Sequence, residues 1–239
     1  MSSLYSKLRP AKVRSALTRR RFEYAMTRIP VTGWGEPADV GTEYGGWMLP
    51  VAAMRPGWCC YCVGVGADVS FDLELIRRFD AAAVRAFEPV HAYVDQALET
   101  AAGEPRFSAD AVAIAPFDGP VRMQASHHPG SASVSLAGIY ETTDYTEMPG
   151  RSIPSLMSEY GDDRIDLLKL DVEGGEYELV PQLDLVGLGV KVFAIQLHRN
   201  GGVRGARELI AWLGDKGYEP IAQRYIIKIT FVNRALLAG

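Results

Sequence analysis

Residues 58–79 read WCCYCVGVGADVSFDLELIRRF. An apolar run ends in two glycines, Gly64 and Gly66, and the segment 70–79 then places Leu73, Ile76 and Phe79 on one helical face. The first part reads as a buried strand and the second as an amphipathic helix. The glycines between them permit a tight turn whose backbone can approach a ligand, with helix amides beyond it. Working outward, AVRAFEP (83–89) reads as the next strand and HAYVDQALETAA (91–102) as a helix. FSADAVAIAPFDG and PVRMQAS (107–126) read as two short strands around a turn at Asp118 and Gly119. The alternation resumes with strand IDLLKLDV (165–172), a helix from about Glu176 to Leu183, strand KVFAIQLH (191–198) and a helix over 204–216. Two closing strands, 218–222 and 225–233, are separated by two residues, which forces a hairpin and an antiparallel last strand. The expected fold is therefore α/β: a doubly wound sheet, mostly parallel, with ligands beyond the carboxyl ends of its strands.

The whole chain fits this reading. Its 239 residues are 48% hydrophobic and 23% charged, a globular balance with length for one main domain that needs no disulfide or structural metal. The division expected is a basic helix and Gly/Pro-rich lid segment over 1–57, followed by the sheet domain over 58–239. The net charge of −4 is uneven. Residues 1–28 carry eight of the 25 basic side chains and one acid, Glu23, for +7, which leaves −11 on the other 211 residues. So acidic a body is a poor polyanion binder, so nucleic acid is not the expected partner; weak contact with an anionic surface is confined to residues 1–28. A homo-oligomer through the same helix stays open. No run approaches the 18 apolar residues of a membrane span, and the basic start lacks the apolar core of a secretory signal. Cys59, Cys60 and Cys62 fit no usual zinc spacing and read as buried thiols, making the cytoplasm the default compartment.

The chemistry-bearing residues gather at predicted strand ends. Glu88 stands 22 residues after Gly66, directly after an apolar strand, where an acid can accept hydrogen bonds from both ribose hydroxyls of a nucleoside. Position 69 is Val, so the third glycine of a dinucleotide fingerprint is missing and a nucleoside without a pyrophosphate is the better ligand. In IDLLKLDVEGGEYEL (165–179), Asp171 ends a strand and Glu173 and Glu176 follow. Carboxylates there can take a proton, hold a divalent metal through Asp171 and Glu173, or hold an ammonium; the plainer reading of Glu173 and Glu176 is that they cap a helix N-terminus. His198 ends the next strand and is a candidate base, against a plain structural histidine. His127, His128, Ser131, Ser133 and Ser135 lie in a polar stretch, 126–150, that reads as a loop able to grip a hydroxylated acceptor or as solvated surface. Trp34, Tyr44 and Trp47 in the lead-in could stack on a sugar, close over a cofactor, or simply pack.

The run from VGVGADVSF through AFEP and AIAPFDGPV to IDLLKLDVEGGEYEL resembles the FkbM family of S-adenosylmethionine-dependent methyltransferases, over roughly residues 63–200. Its members read like DVGANIG, AFEP and IDLLKIDVEGAE. The resemblance implies a class I, Rossmann-like methyltransferase fold with an antiparallel last strand. It implies that Gly64, Val65 and Gly66 form the cofactor turn, that Glu88 holds the ribose, that Ala113 and Ile114 lie near the adenine, and that Asp171 is the acid of the DVEG motif. Three departures stand out: Cys62 replaces a common acid, Asp68 a common glycine, and Gln196 a common Glu before His198. Asp68 then becomes a substitute for holding the methionine ammonium. The activity implied is O-methyl transfer to a sugar, glycan or polyketide-type small molecule, with Asp171 or His198 as base. Two other readings use the same residues: a nicotinamide-dependent oxidoreductase, and a non-enzymatic nucleoside-binding adaptor whose basic arm touches RNA or lipid.

Overall fold

Five apolar segments that alternate with helices pair side by side as a parallel sheet. The computed structural model describes residues 11–125, 134–135 and 145–238. Strands β3 (Cys59–Val63), β4 (Ala83–Phe87), β5 (Phe107–Asp110), β10 (Leu167–Leu170) and β11 (Val192–Gln196) run parallel, and β12 (Tyr218–Arg224) and β13 (Lys228–Asn233) close one edge. The order is β5-β4-β3-β10-β11-β13-β12, with β13 antiparallel to both neighbours. Helices α2 (Ser70–Phe79), α3 (His91–Ala101), α4 (Ile153–Tyr160), α5 (Glu176–Leu179) and α6 (Gly202–Asp215) connect the strands, and a short α7 (Arg234–Ala238) follows the last. All four residues of β10 are buried, as are the last four of β3, because both faces of the sheet are covered. Tyr61, Leu168 and Phe193 belong to one core layer, and Cys60, Cys62, Leu167 and Ala194 to the other.

Several local expectations shift. The connection between β12 and β13 holds three residues, 225–227, because pairing continues through Arg224; Tyr225 and Ile226 adopt left-handed φ of 49° and 70° to make the turn. The helix expected to reach Leu183 stops at Leu179, where Pro181 turns the chain into a 3-10 segment, Val180–Gln182. The strands after β5 leave the main sheet. β6 (Ala113–Ile114), β7 (Gly119–Ala125), β8 (Val134–Ser135) and β9 (Tyr145–Arg151) form a second sheet ordered β6-β9-β7-β8. Part of the stretch read as loop over 126–150 is thus strand, since Tyr145–Gly150 pair with β7. His127, His128, Ser131 and Ser133 lie outside the described residues, and of Ser135 only the place in β8 is described.

The lead-in is tied to the sheet. Helix α1 (Ala11–Met26) buries Phe22, Ala25 and Met26 in the core layer that contains Ala206 and Leu209 of α6, and leaves Arg19, Arg20 and Arg21 exposed. Strands β1 (Ala38–Val40) and β2 (Trp47–Leu49) form a hairpin whose Met48 carbonyl accepts from Thr230 Oγ1 at 2.7 Å. Arg224 pairs with Asp39 at 3.3 Å. Among the described residues no helix is long and apolar enough to cross a membrane.

Candidate active site

At the carboxyl ends of β3, β4 and β10 the chain opens a cavity of about 670 Å3, within the range of small-molecule sites. Gly64, Val65, Gly66, Asp68, Glu88, Ala113, Ile114, Asp171 and Glu173 all line it. The turn after β3 depends on its two glycines. Gly64 has φ +70°, and a Cβ there would lie 2.9 Å from the Asp171 carbonyl carbon and closer still to its oxygen. Gly66 has φ +59°, and a Cβ there would meet nothing within 4 Å. The first glycine lets β3 and β10 close together; the second leaves open space at the ligand side.

Glu88 is 6% exposed and is anchored from both sides. Its Oε2 accepts from the Gly66 amide and its Oε1 from the Val90 amide, each at 3.0 Å. Burial raises its pKa above the ordinary carboxylate value, against the two amide bonds. Each oxygen keeps a further lone pair. Asp68 faces the lead-in. It accepts from the Thr42 hydroxyl and from the Gly45 amide at 3.2 Å, and caps α2 through the Ser70 amide at 2.9 Å. These bonds more than offset burial and hold its pKa below the usual range. Asp68 therefore clips the 42–45 segment over the glycine turn as it lines the cavity.

The opposite end of the cavity carries Asp171 at the end of β10, with Glu173 in left-handed backbone at φ 48°. His198 follows β11 and is not among the lining residues; it reaches the site through the acids. Its Nε2 lies 3.8 Å from Asp171 Oδ1 and 3.5 Å from Glu173 Oε2, and its Nδ1 lies 3.3 Å from Glu176 Oε1. Burial works to lower the imidazole pKa, and the Glu173 and Glu176 carboxylates overcome it, raising the value to about 10. Burial pushes the Asp171 carboxyl up, opposed by Lys169 and His198. Gln196 lines the cavity with its Nε2 3.2 Å from His198 Nε2. Glu176 is fully buried and its Oε1 accepts the His198 backbone amide at 2.5 Å, so it supports the histidine as well as starting α5.

Three lining residues, Lys169, Lys228 and Asp72, were missed by sequence reasoning, and Trp47, read as able to stack, close over a cofactor or pack, lines the cavity with them. Lys169, in the middle of β10, is 5% exposed and donates to the Val63 carbonyl at 3.1 Å and to that of Gly64. Lys228, at the start of β13, donates to the Tyr44 and Gly46 carbonyls at 3.1 and 3.3 Å, and burial lowers its pKa to about 8. Trp47 is buried with both ammonium groups over its ring, at 5.9 and 4.9 Å, so it packs as a wall. Asp72 is 2% exposed, stands beside Cys62, and its Oδ1 has no hydrogen-bond partner. Two of these left signals: Lys169 is a charge inside an apolar strand, and Asp72 shares a helical stripe with Ile76 and Phe79. Lys228 left none. Tyr44 is 84% exposed at the rim, and Trp34 lies beneath the Arg234 guanidinium at 4.5 Å.

A seven-stranded sheet of this order with β13 reversed, a glycine turn after β3 and an acid ending β10 define a class I, Rossmann-like methyltransferase fold. The chain belongs to the FkbM methyltransferase family: residues 39–220 match the methyltransferase FkbM domain. Among solved structures it is similar to a methyltransferase FkbM from Methylobacillus flagellatus, with TM-score 0.50 and 12% identity over 92% of this chain and 59% of that one. It is also similar to a putative tRNA (m1A22) methyltransferase from Streptococcus pneumoniae (TM-score 0.40, 14% identity, 76% of this chain and 66% of that). A third is TrmK from M. capricolum in complex with S-adenosyl-homocysteine (0.43, 9%, 75% and 64%). The chain spans less than two thirds of the length of each of the three. No curated protein matches it in sequence.

Proposed function

We propose that this chain transfers a methyl group from S-adenosylmethionine to a hydroxyl of a small-molecule or glycan acceptor. The observation that carries the reading is Glu88, a buried acid fixed by the Gly66 and Val90 amides, in one cavity with Asp171. The lining fits the cofactor. Glu88 offers acceptor lone pairs to a ribose diol, buried Ala113 and Ile114 offer an apolar surface for an adenine, and Asp72 Oδ1 has no hydrogen-bond partner within the protein. The cofactor supplies a methyl group on a positively charged sulfur, ready for in-line displacement.

The chain's own work is alignment and proton removal. Asp171 lines the cavity and would accept the hydroxyl proton, freeing the acceptor oxygen for the methyl group that S-adenosylmethionine would supply, with the C–S pair left on sulfur. His198 does not line the cavity, so it acts as a positioning residue that orients Asp171 and Glu173. The acidic body favours a neutral or cationic acceptor over a nucleic acid. Calorimetry should show one S-adenosylmethionine site per chain, lost in Glu88→Ala, and no comparable NAD site. Methyl incorporation across a panel of hydroxylated acceptors should then find an O-methyl product. Absence of heat with S-adenosylmethionine refutes the cofactor; product only on nitrogen or on RNA refutes the acceptor.

A further inference from the structure

The structure assigns a divalent-cation site to Asp171, Glu173 and His198, with Glu176 as the outer residue that sets the histidine. The inference rests on the methyl-transfer reading and deepens it, since an ion there would hold the acceptor oxygen. One donor atom from each of the three residues lies within 4.8 Å of the others. An ion with bonds of about 2.1–2.3 Å and angles near 90–110° holds neighbouring donors about 3.0–3.8 Å apart. The two nitrogen-to-oxygen separations, 3.8 Å to Asp171 and 3.5 Å to Glu173, fall in that window.

Two further observations point to a ligand. Glu176 is fully buried, its Oε2 has no partner, and its Oε1 is 3.3 Å from His198 Nδ1. His198 Nδ1 makes no hydrogen bond of its own in this structure, and the carboxylate beside it favours the tautomer that keeps the proton on Nδ1 and leaves the other nitrogen's lone pair for a metal. Here that nitrogen is Nε2, which faces the two acids. Second, Asp171 Oδ1 is buried without a hydrogen-bond partner although two ammonium groups are near. Both are engaged elsewhere: Lys169 with the Val63 and Gly64 carbonyls, Lys228 with those of Tyr44 and Gly46. Three carboxylates thus converge on one imidazole, and a divalent ion satisfies the charge and the orphaned oxygen together. Gln196 Nε2, 3.2 Å from Nε2 of His198, turns aside on binding, and rotation of that amide presents its carbonyl oxygen to the ion.

One imidazole with two carboxylates suits a first-row ion such as Mn2+ better than Mg2+, which prefers all-oxygen sites. Asp171 and Glu173 line the cavity, so the ion's open positions face the acceptor. A hydroxyl bound there is more acidic and gives its proton more readily to the second carboxylate oxygen of Asp171. The oxygen pair then forms the C–O bond as the C–S bond breaks toward sulfur.

The test is titration of the metal-free full chain with Mn2+, followed by loss of the free-ion electron paramagnetic resonance signal. S-Adenosylmethionine binding is measured in parallel by calorimetry in chelator. The wild type should bind one Mn2+ per chain. Glu173→Gln, whose side chain is 34% exposed and therefore leaves the core intact, should weaken it at least tenfold. Glu176→Gln should weaken it about 10–100-fold, as other outer-residue changes do. No saturable uptake by wild type, with cofactor heat retained, overturns the metal and spares the methyl-transfer reading. No cofactor heat overturns that reading instead. Uptake that is unchanged in Glu173→Gln overturns the ligand assignment, and the Glu173 variant decides even where Glu176→Gln fails to fold.

Discussion

Replacing each glycine of the β3 turn by alanine separates what the turn does for the fold from what it does for the ligand. At Gly64 the added methyl would lie 2.9 Å from the Asp171 carbonyl carbon and nearer its oxygen, in backbone at φ +70°. The left-handed conformation costs about 1 kcal/mol for a residue with a Cβ. The contact is with backbone of β10, where the Asp171 amide donates to Val63 at 3.1 Å, so it relaxes only if two central strands part. Overpacking of that kind costs roughly 1–3 kcal/mol, for a total of about 3 kcal/mol. In a chain of this size that lowers Tm by about 6–12 °C. Gly66→Ala has the same backbone term, φ +59°, and no neighbour within 4 Å, so its cost stays near 1 kcal/mol and Tm falls by about 2–4 °C. Its methyl nevertheless enters the side lined by the cavity, and S-adenosylmethionine affinity should drop at least tenfold. Thermal unfolding and calorimetry on both variants check this. Gly64→Ala with wild-type Tm, or Gly66→Ala the less stable of the two, would refute the argument that the first glycine serves strand closure and the second the ligand.

Other perturbations read separate parts of the molecule. Glu88→Gln turns an NH2 group toward one of the two amides that Glu88 now accepts; this should cost about 1–3 kcal/mol in urea unfolding and weaken cofactor binding more than tenfold. Asp162 accepts from Tyr61 at 2.9 Å and from Arg85 at 3.1 Å, and although burial acts the other way these bonds hold its pKa below the ordinary value. Asp162→Asn should lose about 1.5–3 kcal/mol at pH 7. Because the folded-state pKa is depressed, that contribution is present above about pH 4 and fades as pH falls below it, so wild type and variant should converge in urea titrations toward pH 3. Burial raises the Cys59 thiol to about 12 and those of Cys60 and Cys62 well above the ordinary value. Iodoacetamide at pH 8 should therefore modify the native chain about 1000-fold more slowly than the unfolded chain, by mass spectrometry; rapid native labelling would show that β3 is not the closed central strand described.

Local order was legible where one residue type at one spacing has one physical outlet. The apolar run 58–63, the glycine turn and the stripe Leu73, Ile76, Phe79 specify strand, turn and helix without reference to the rest of the chain. The nearness of β12 to β13 made their antiparallel pairing unavoidable, although the turn lies a residue or more from where spacing put it because ladder bonds continue to Arg224. The second sheet was not legible. Its pairing joins Gly119–Gln124 to Tyr145–Gly150 across a long polar stretch, and a strand paired at such range owes its register to its partner.

Local chain order is enough to give the class of the protein and the acids at its strand ends, because Gly64, Glu88 and Asp171 follow their strands directly and chain continuity carries them to the same sheet edge. Which charges meet depends on long-range packing. Lys228 joins the cavity from β13 because that strand inserts beside β11, and Glu176 reaches His198 across 22 residues because α5 turns back against the end of β11. Side-chain direction and burial, which set whether His198 bears a proton, takes one or holds an ion, come from packing between distant segments, and no local spacing encodes them.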